Sequence, residues 1–303
     1  MTSMPDQTTR GIIACVCGAI GISSAAIFMR LADVTPAASA FWRLTMAAPV
    51  LIFIYWLTAR KKGRISLLPS MEEGRWILLV GLLFASELFT WHWSVAKTTV
   101  ANSTLLANMA TIFAALYSFV LFGERFNGRF LGGMVLALGG AALLMGRNAE
   151  LNPAYIPGDM LGLLTAVLYG GYIVGAARAR QVLDAPLLMA GTAMVSGILL
   201  SLPLLWVDGP IFPVSSEGWA PLIGLALIAH VLGQSLIVYG LAHVPAALGA
   251  LCLLIQPVIS ALWAWWLFGE ALGPIHMAGA SAVLVGIWIA RQSKRQQIMK
   301  AAG

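Results

Sequence analysis

Charged residues are scarce in this sequence, at 10% of its 303 residues, whereas 60% of the residues are hydrophobic. Soluble domains carry about a quarter charged residues, so this shortage excludes an ordinary soluble globular protein. A helix that crosses the hydrocarbon core of a membrane needs roughly 20 mainly apolar residues. Ten stretches reach that length: 11–30, 36–58, 74–96, 100–122, 128–146, 157–178, 186–206, 217–240, 245–268 and 273–290. Because lipid cannot satisfy backbone polar groups, each stretch should be a helix. We therefore predict an all-α integral membrane protein with ten transmembrane helices.

The sequence also lacks the motifs on which most enzymes and metal sites depend. Its three cysteines, Cys15, Cys17 and Cys252, fall inside predicted spans and have no metal-ligand spacing. Its four histidines form no HExxH motif, and no GxSxG motif presents a serine nucleophile. No Gly-Lys pair occurs, which excludes the GxxxxGK[ST] loop of an ATP-driven pump. We therefore expect no enzyme, no metal and no cofactor. Two further classes stay open at this point: a membrane channel, which would give rapid flux without saturation, and a signalling or scaffolding membrane protein.

Basic residues are concentrated in alternate loops. With the N-terminus in the cytoplasm, 14 of the 18 lysines and arginines lie on the inner side. They are Arg10, Arg60, Lys61, Lys62, Arg64, Arg75, Arg125, Arg129, Arg178, Arg180, Arg291, Lys294, Arg295 and Lys300. This positive-inside bias predicts a multi-pass protein of a bacterial inner membrane with both termini in the cytoplasm. Since it also accounts for the net charge of +6, we expect the lipid bilayer as a partner and no nucleic acid. The sequence gives no indication of the oligomeric state.

An internal repeat divides the chain into two halves. The sequence Leu-Phe-Gly-Glu ends an apolar stretch at 121–124 and again at 267–270, 146 positions later. The repeats predicted from this offset cover 11–146 and 157–291, with five spans each. Because five is an odd number, the second half enters the membrane from the opposite side. Inverted repeats of this kind are typical of secondary transporters, with the substrate site near the midplane between the halves.

Polar and aromatic side chains within the spans are the candidate substrate-binding residues, because polar groups in the bilayer core are costly unless they have a partner or a function. The candidates are Glu87 and Trp91 in span 3, Asn108 and Thr111 in span 4, Tyr169 and Tyr172 in span 6, His230 and Gln234 in span 8, and Gln256 and Ser260 in span 9. Interhelical hydrogen bonds or ordinary core packing are the alternative roles. An aromatic chamber with few charges, to which Trp263 would also contribute, suits an amino acid better than a phosphate, which would need several basic residues.

Arg43 and Glu87 are opposite charges within neighbouring spans. Counted from the same membrane surface, Arg43 lies about seven residues deep, roughly 10 Å, and Glu87 about nine residues, roughly 14 Å. A buried glutamate must be protonated or find a cation. We predict that Glu87 either pairs with Arg43, directly or through one intermediary, or faces the cavity as a neutral acid. The alternative is that Arg43 extends outward to the surface and Glu87 only joins helices.

Small residues mark two further spans as packing elements. Span 5 carries Gly128, Gly132 and Gly139-Gly140, and span 10 carries Ala278, Ala282 and Gly286. Small residues four positions apart allow close helix packing in membranes. We expect these faces to pack helices rather than to bind a ligand.

Two stretches carry a resemblance to a known family. They are ANSTLL at 101–106, which leads to the first Leu-Phe-Gly-Glu, and AALGA at 246–250, which leads through Gln256-Pro257 to the second. They resemble the drug/metabolite transporter superfamily, specifically its EamA-type members, over nearly the whole chain. Arg43 lies where such proteins often carry an arginine, whereas Thr111 stands in place of their usual mid-span proline.

The resemblance implies export or exchange of small metabolites by alternating access. It implies a cavity lined chiefly by spans 1, 3, 4, 6, 8 and 9, with spans 5 and 10 as scaffold. Bacterial members include amino-acid exporters of the YddG type, so we expect an amino acid as the small-molecule substrate. An exchanger or an uptake carrier for a nucleoside, S-adenosylmethionine or a sugar is the alternative.

Overall fold

The computed structural model describes residues 7–63, 68–146, 152–268 and 273–301. Within these ranges ten helices are long and apolar enough to cross a membrane, and no strand is present. They are α1 (Gln7–Met29), α2 (Pro36–Lys61), α3 (Met71–Lys97), α4 (Val100–Phe122), α5 (Gly128–Met145), α6 (Pro153–Ala179), α7 (Ala185–Leu205), α8 (Trp219–Gly240), α9 (Ala246–Trp263) and α10 (Pro274–Gln292). The ten predicted spans are confirmed, and their ends differ from the prediction by only a few residues.

Side-chain caps fix where several of these helices begin. Thr35 Oγ1 accepts a hydrogen bond from Ala38 N at the start of α2. Ser70 and Glu73 form a capping box at the start of α3. These caps satisfy backbone N–H groups that a helix leaves without an internal partner.

The ten helices form two five-helix halves of inverted topology. The packing of α3 against α6 is repeated by that of α8 against α1, which are the equivalent helices of the two halves. Arg291 Nη2 donates a 2.9 Å hydrogen bond to Thr9 Oγ1, so the two ends of the ten-helix bundle lie on the same face. An even number of crossings requires this arrangement.

Glycines bring α5 and α10 into backbone contact. A Cβ atom added to Gly133 would lie 2.6 Å from the Gly286 carbonyl oxygen, and one added to Gly140 would lie 2.6 Å from that of Gly279. The predicted role of these helices in packing is therefore correct, but part of the predicted face is wrong. A Cβ atom at Gly128, Gly132 or Gly139 would meet nothing within 4 Å. The packing face of α5 instead contains Gly133 and Gly140, which are seven positions apart and both contact α10.

The first Leu-Phe-Gly-Glu motif ends α4. Gly123 adopts a left-handed conformation (φ 66°) and its N–H bonds to the carbonyls of Phe119 and Ser118. Only glycine adopts this conformation without strain. In the second copy Gly269 and Glu270 lie outside the described residues.

The contrast between adjacent glycines of α5 gives a test. We expect Gly133→Ala to lower the stability of the folded protein by about 1–3 kcal/mol, because the added methyl group forces two helix backbones apart. Thermal unfolding in detergent, followed by fluorescence-detected size-exclusion chromatography, measures the change. Gly132→Ala is the matched control and should leave the melting temperature unchanged or raise it slightly. Equal melting temperatures for the two variants would contradict the proposed contact.

Candidate substrate cavity

A cavity of about 710 Å³ lies between the two halves. Residues of α1, α3, α4, α6, α8 and α9 line it, which are the six helices that the sequence analysis expected. Arg43 adds a side chain from α2, and the ends of α5 and α10 add Leu144, Met145 and His276. The helices named as scaffold therefore reach the cavity only at one end.

The cavity opens towards one end of the bundle. Its lining includes Thr99 and Val100 at the start of α4 and Trp91 near the end of α3. None of the residues 71–83 and 112–122, which form the opposite halves of α3 and α4, contributes to it. The cavity therefore runs from the middle of the bundle to the end at which α4 begins, and we call this the open end.

Eight of the ten predicted site residues line the cavity. They are Glu87, Trp91, Asn108, Thr111, Tyr169, Gln234, Gln256 and Ser260. The structure brings these side chains from five helices to one space, as the intramembrane polar pattern predicted. Their role in substrate binding stays a prediction.

Tyr172 and His230 do not line the described cavity, in contrast to the prediction. Each is only 1% exposed. The Tyr172 ring stacks on Tyr169 at a centroid distance of 5.8 Å, and its hydroxyl accepts a 2.8 Å hydrogen bond from Gln234 Nε2. The His230 ring stacks on Phe84 at 5.3 Å. These two residues form a layer behind the wall, where they hold the cavity-facing side chains in place.

Helix α8 is π-helical around His230 and Gln234. Residues Leu225–Gln234 form a π-helix rather than an α-helix. A π-turn closes its hydrogen bonds five residues along the chain and is therefore wider. Of the two residues, Gln234 lines the cavity, whereas the His230 ring packs against Phe84 within the wall.

Arg43 and Glu87 both face the cavity. Arg43 is 3% exposed and Glu87 is 7% exposed, so Arg43 does not extend to the membrane surface. Their charges interact electrostatically, but the two side chains make no ion pair within 4.0 Å in the described structure. The direct pair proposed from the sequence is therefore absent. The second alternative, in which Glu87 faces the cavity as a neutral acid, agrees with the position of the side chain. That Glu87 is neutral stays a prediction.

Helix α4 is interrupted at mid-span without a proline. It consists of Val100–Asn108 and Ala110–Phe122, with Met109 between them. Met109 N donates to the Leu106 carbonyl at 3.0 Å, and Ile112 N donates to the Met109 carbonyl at 2.8 Å. These bonds reach three residues back, as in a 3₁₀ turn. Helix α4 is therefore interrupted although Thr111 stands in place of the mid-span proline.

The equivalent helix α9 is interrupted at the matching place. A 3₁₀ turn, Leu253–Ile255, separates Ala246–Cys252 from Gln256–Phe268. Pro257 lies near the start of the second segment, where its missing N–H costs least. Thr111 Oγ1 of α4 donates a 3.2 Å hydrogen bond to the Ala250 carbonyl, so the two interrupted helices are joined beside the cavity.

Ser23 is a cavity residue that the sequence analysis did not select. It lines the cavity just before α1 is interrupted at Ser24. Trp263 Nε1 donates to Ser23 Oγ at 3.2 Å, and Ser260 Oγ donates to the Ser23 carbonyl at 3.4 Å. Trp263 is therefore held against α1 and is not among the described cavity residues. The adjacent pair Ser23-Ser24, deep in an apolar span, was the signal in the sequence.

Polar contacts brace both ends of the bundle. At the open end Asp33 accepts 2.9 Å hydrogen bonds from the backbone and hydroxyl of Ser215. Partial desolvation opposes the effect of these bonds, but they outweigh it and lower the pKa of Asp33. At the opposite end Lys62 Nζ donates to Asp184 Oδ2 at 2.8 Å. Partial burial raises the pKa of Asp184, whereas hydrogen bonds from Lys62 and from Leu187 N outweigh it and hold that pKa below its ordinary value.

A further ion pair joins α6 to the end of α4. Arg178 Nη2 lies 3.8 Å from Glu124 Oε1, and the guanidinium lies 3.6 Å above the centre of the Phe122 ring. Glu124 and Phe122 belong to the first Leu-Phe-Gly-Glu motif. This contact lies at the end away from the cavity opening, which we call the closed end. In the described ranges no group of three or more His, Cys, Asp or Glu residues is placed to hold a metal ion.

The two stacked tyrosines differ in a way that stability measurements can test. We expect Tyr172→Phe to destabilise the protein by about 1–3 kcal/mol, because the buried Gln234 amide loses its hydrogen-bond acceptor. Tyr169→Phe should change stability by less than about 0.5 kcal/mol, because the Tyr169 hydroxyl faces the cavity. Thermal unfolding in detergent compares the two variants. A larger loss of stability for Tyr169→Phe than for Tyr172→Phe would contradict the placement of Tyr172 within the wall and of Tyr169 at the cavity.

Comparison with known proteins identifies the family. The model of the EamA-like transporter family matches the chain twice, over residues 9–146 and 156–292. A pseudopaline exporter, CntI, of Pseudomonas aeruginosa is 24% identical over 219 residues, which cover 72% of this chain and 75% of that protein. The aromatic amino acid exporter YddG of Ancylobacter novellus is 27% identical over 156 residues, which cover 50% of this chain and 53% of that protein.

Two further similarities agree with this match. A probable terminal-alkyne amino-acid exporter of Streptantibioticus cattleyicolor is 25% identical over 201 residues, which cover 65% of this chain and 66% of that protein. A protein of solved crystal structure superimposes with a TM-score of 0.79 at 20% identity, over 95% of this chain and 99% of that one, and so shares the fold. With ten membrane-spanning helices and a family match in each half, this chain belongs to the EamA-like transporter family and is a multi-pass membrane transporter, not an enzyme.

Proposed function

We propose that this protein is a secondary transporter that exports amino acids from the bacterial cytoplasm by alternating access. The observation that carries the proposal is the lining of the cavity, which combines aromatic and neutral polar side chains with one basic and one acidic residue. Such a lining suits a neutral or zwitterionic molecule better than a phosphate. Two of the similar proteins are amino-acid exporters by name, which supports the same substrate class.

The open end indicates which state of an export cycle the structure represents. With the termini in the cytoplasm, as the distribution of basic residues predicts, the open end faces the periplasm. The structure then corresponds to the state that releases substrate. The cavity lies between inverted halves and is bounded by interrupted helices α1, α4, α8 and α9, an arrangement found in secondary transporters.

Similarity to the pseudopaline exporter CntI supports a second candidate, the export of pseudopaline or a similar metabolite. The cavity volume of about 710 Å³ falls within the range of pockets that bind whole drug-sized molecules. Pseudopaline is therefore a useful competitor in the transport assay. Amino acids are the first candidate because two of the similar proteins, one an amino-acid exporter and one a probable amino-acid exporter, carry this substrate class in their names.

Uptake into proteoliposomes tests the proposed function. We expect saturable transport of one or more of the twenty amino acids, measured with radiolabelled substrates. Ala261→Trp should remove most of this uptake, because residue 261 lines the cavity and a large ring fills it. Leu262→Trp is the adjacent control, 45% exposed on the outside of the bundle, and should transport normally. Saturable transport of sugars or nucleosides without any amino-acid transport would overturn the proposal, and unsaturable flux would indicate a channel.

The closed end gives a test of alternating access. The Arg178–Glu124 pair is partly exposed, so its loss should cost about 0.2–1 kcal/mol. We expect Arg178→Gln to shift the population away from the state that is open at the α4 start. A cysteine introduced as Ala101→Cys, in a background without the three native cysteines, should then react with maleimide up to about fivefold more slowly.

Exchanging the two charges provides the control for this shift. The double variant Arg178→Glu with Glu124→Arg should restore the reactivity of the introduced cysteine. Arg75→Gln removes an exposed basic residue without such a contact and should leave the rate unchanged. The same labelling rate in Arg178→Gln and in the parent protein would mean that this ion pair does not hold the closed end shut.

A further inference from the structure

A basic and an acidic side chain in the cavity each keep one buried atom without a hydrogen-bond partner among the described residues. Arg43 and Glu87 are both more than nine-tenths buried, yet both line the cavity. Arg43 Nε and Glu87 Oε2 are the atoms left without a partner in the described structure. Leaving a buried charge without a partner is costly. A ligand that supplies an acceptor to Arg43 and a donor to Glu87 would remove this cost for both groups at once.

The balance of charge in the cavity selects the chemistry of that ligand. In the described part of the lining, Arg43 and Glu87 are the residues that carry formal charges. An anion would be attracted by Arg43 but repelled by an ionised Glu87. A cation would be attracted by Glu87 but repelled by Arg43. A zwitterion satisfies both charges and leaves the filled cavity electrically neutral.

The surroundings of the two charges indicate where the rest of the ligand lies. Phe84, Leu88, Trp91 and Ile173 line the same cavity and present an apolar and aromatic surface. A charged head group near Arg43 and Glu87 would therefore leave room for an apolar side chain beside it. An α-amino acid with an apolar or aromatic side chain has this division of polarity.

We propose that Arg43 binds the α-carboxylate and Glu87 the α-ammonium group of the substrate. This inference rests on the proposed transport of amino acids and names the groups by which they are recognised. Guanidinium and carboxylate can form two parallel hydrogen bonds, which gives geometric specificity as well as energy. The ammonium and carboxylate groups are common to all amino acids, so the substrate side chain would contact only the apolar wall. Binding would then require both charged groups of the substrate.

Three probes of nearly the same shape test this inference. L-phenylalanine carries both charges, N-acetyl-L-phenylalanine lacks the ammonium group, and L-phenylalaninamide lacks the carboxylate. We expect L-phenylalanine to raise the melting temperature of the purified wild-type protein. Each derivative should bind at least about tenfold more weakly, because it loses hydrogen bonds to a charged group. This comparison needs no variant, so it decides the proposal even where a variant fails to fold.

Two variants assign each charge to its partner. Glu87→Gln should bind N-acetyl-L-phenylalanine better than L-phenylalaninamide, since Arg43 alone then selects an anion. Arg43→Gln should show the opposite preference, since Glu87 alone then selects a cation. Glu72→Gln and Arg75→Gln remove exposed charges at the start of α3 and should keep the wild-type order of binding. If the two residues were only structural, the variants would have a lower melting temperature, but their preference between the two derivatives would not reverse.

The outcomes separate this inference from the proposed function. Equal binding of all three probes by the wild-type protein overturns the recognition by Arg43 and Glu87, and so does the absence of any stabilisation by L-phenylalanine. Neither result alters an uptake assay that shows amino-acid transport. If selective binding is found but no amino acid is transported, the inference stands and the proposed function fails.

Discussion

The need to satisfy every backbone hydrogen bond away from water governs this structure. A helix crossing lipid cannot leave N–H or C=O groups unpaired, so irregular backbone is confined to places that protein or a cavity covers. The interruptions at Ser24, at Met109 and at Leu253–Ile255 and the π-helix Leu225–Gln234 all obey this rule, since each belongs to a helix that lines the cavity. Irregular backbone is thus tolerated beside the cavity, and the irregular segments in turn shape the cavity.

The same constraint acts on side chains. Thr111 and Ser260 use their hydroxyl groups to join helices beside the cavity, and Gln234 is held by Tyr172 behind it. Arg43 and Glu87 are different, because each keeps a buried polar atom to which the described structure gives no hydrogen bond. Among the polar residues that line the described cavity, Arg43 and Glu87 therefore differ from those that join helices by a buried atom without a partner and not by their depth in the membrane.

Much of the fold could be predicted from the sequence, because the length and polarity of a span depend on local composition. The ten helices follow from this, and the inverted halves follow from the repeated Leu-Phe-Gly-Glu motif with five spans in each repeat. The site was less predictable, since the direction in which a side chain points depends on the helices packed around it. His230 was misplaced because its ring is buried against Phe84 of α3, a contact between helices that the sequence of α8 alone does not show. Gly132 was selected in place of Gly133 because adjacent residues both fit a small-residue pattern until the partner helix is known. The interruption at Met109 has no local signal.

The contact between α5 and α10 is also symmetric with respect to the internal repeat. Under the offset of 146 positions, Gly133 corresponds to Gly279 and Gly140 to Gly286. Gly133 meets Gly286, and Gly140 meets Gly279, so each half offers the same two positions to the other. This reciprocal pattern is that of an isologous dimer interface. The contact therefore has the symmetry of a dimer interface within one polypeptide, and each five-helix half contains both of the positions that form it.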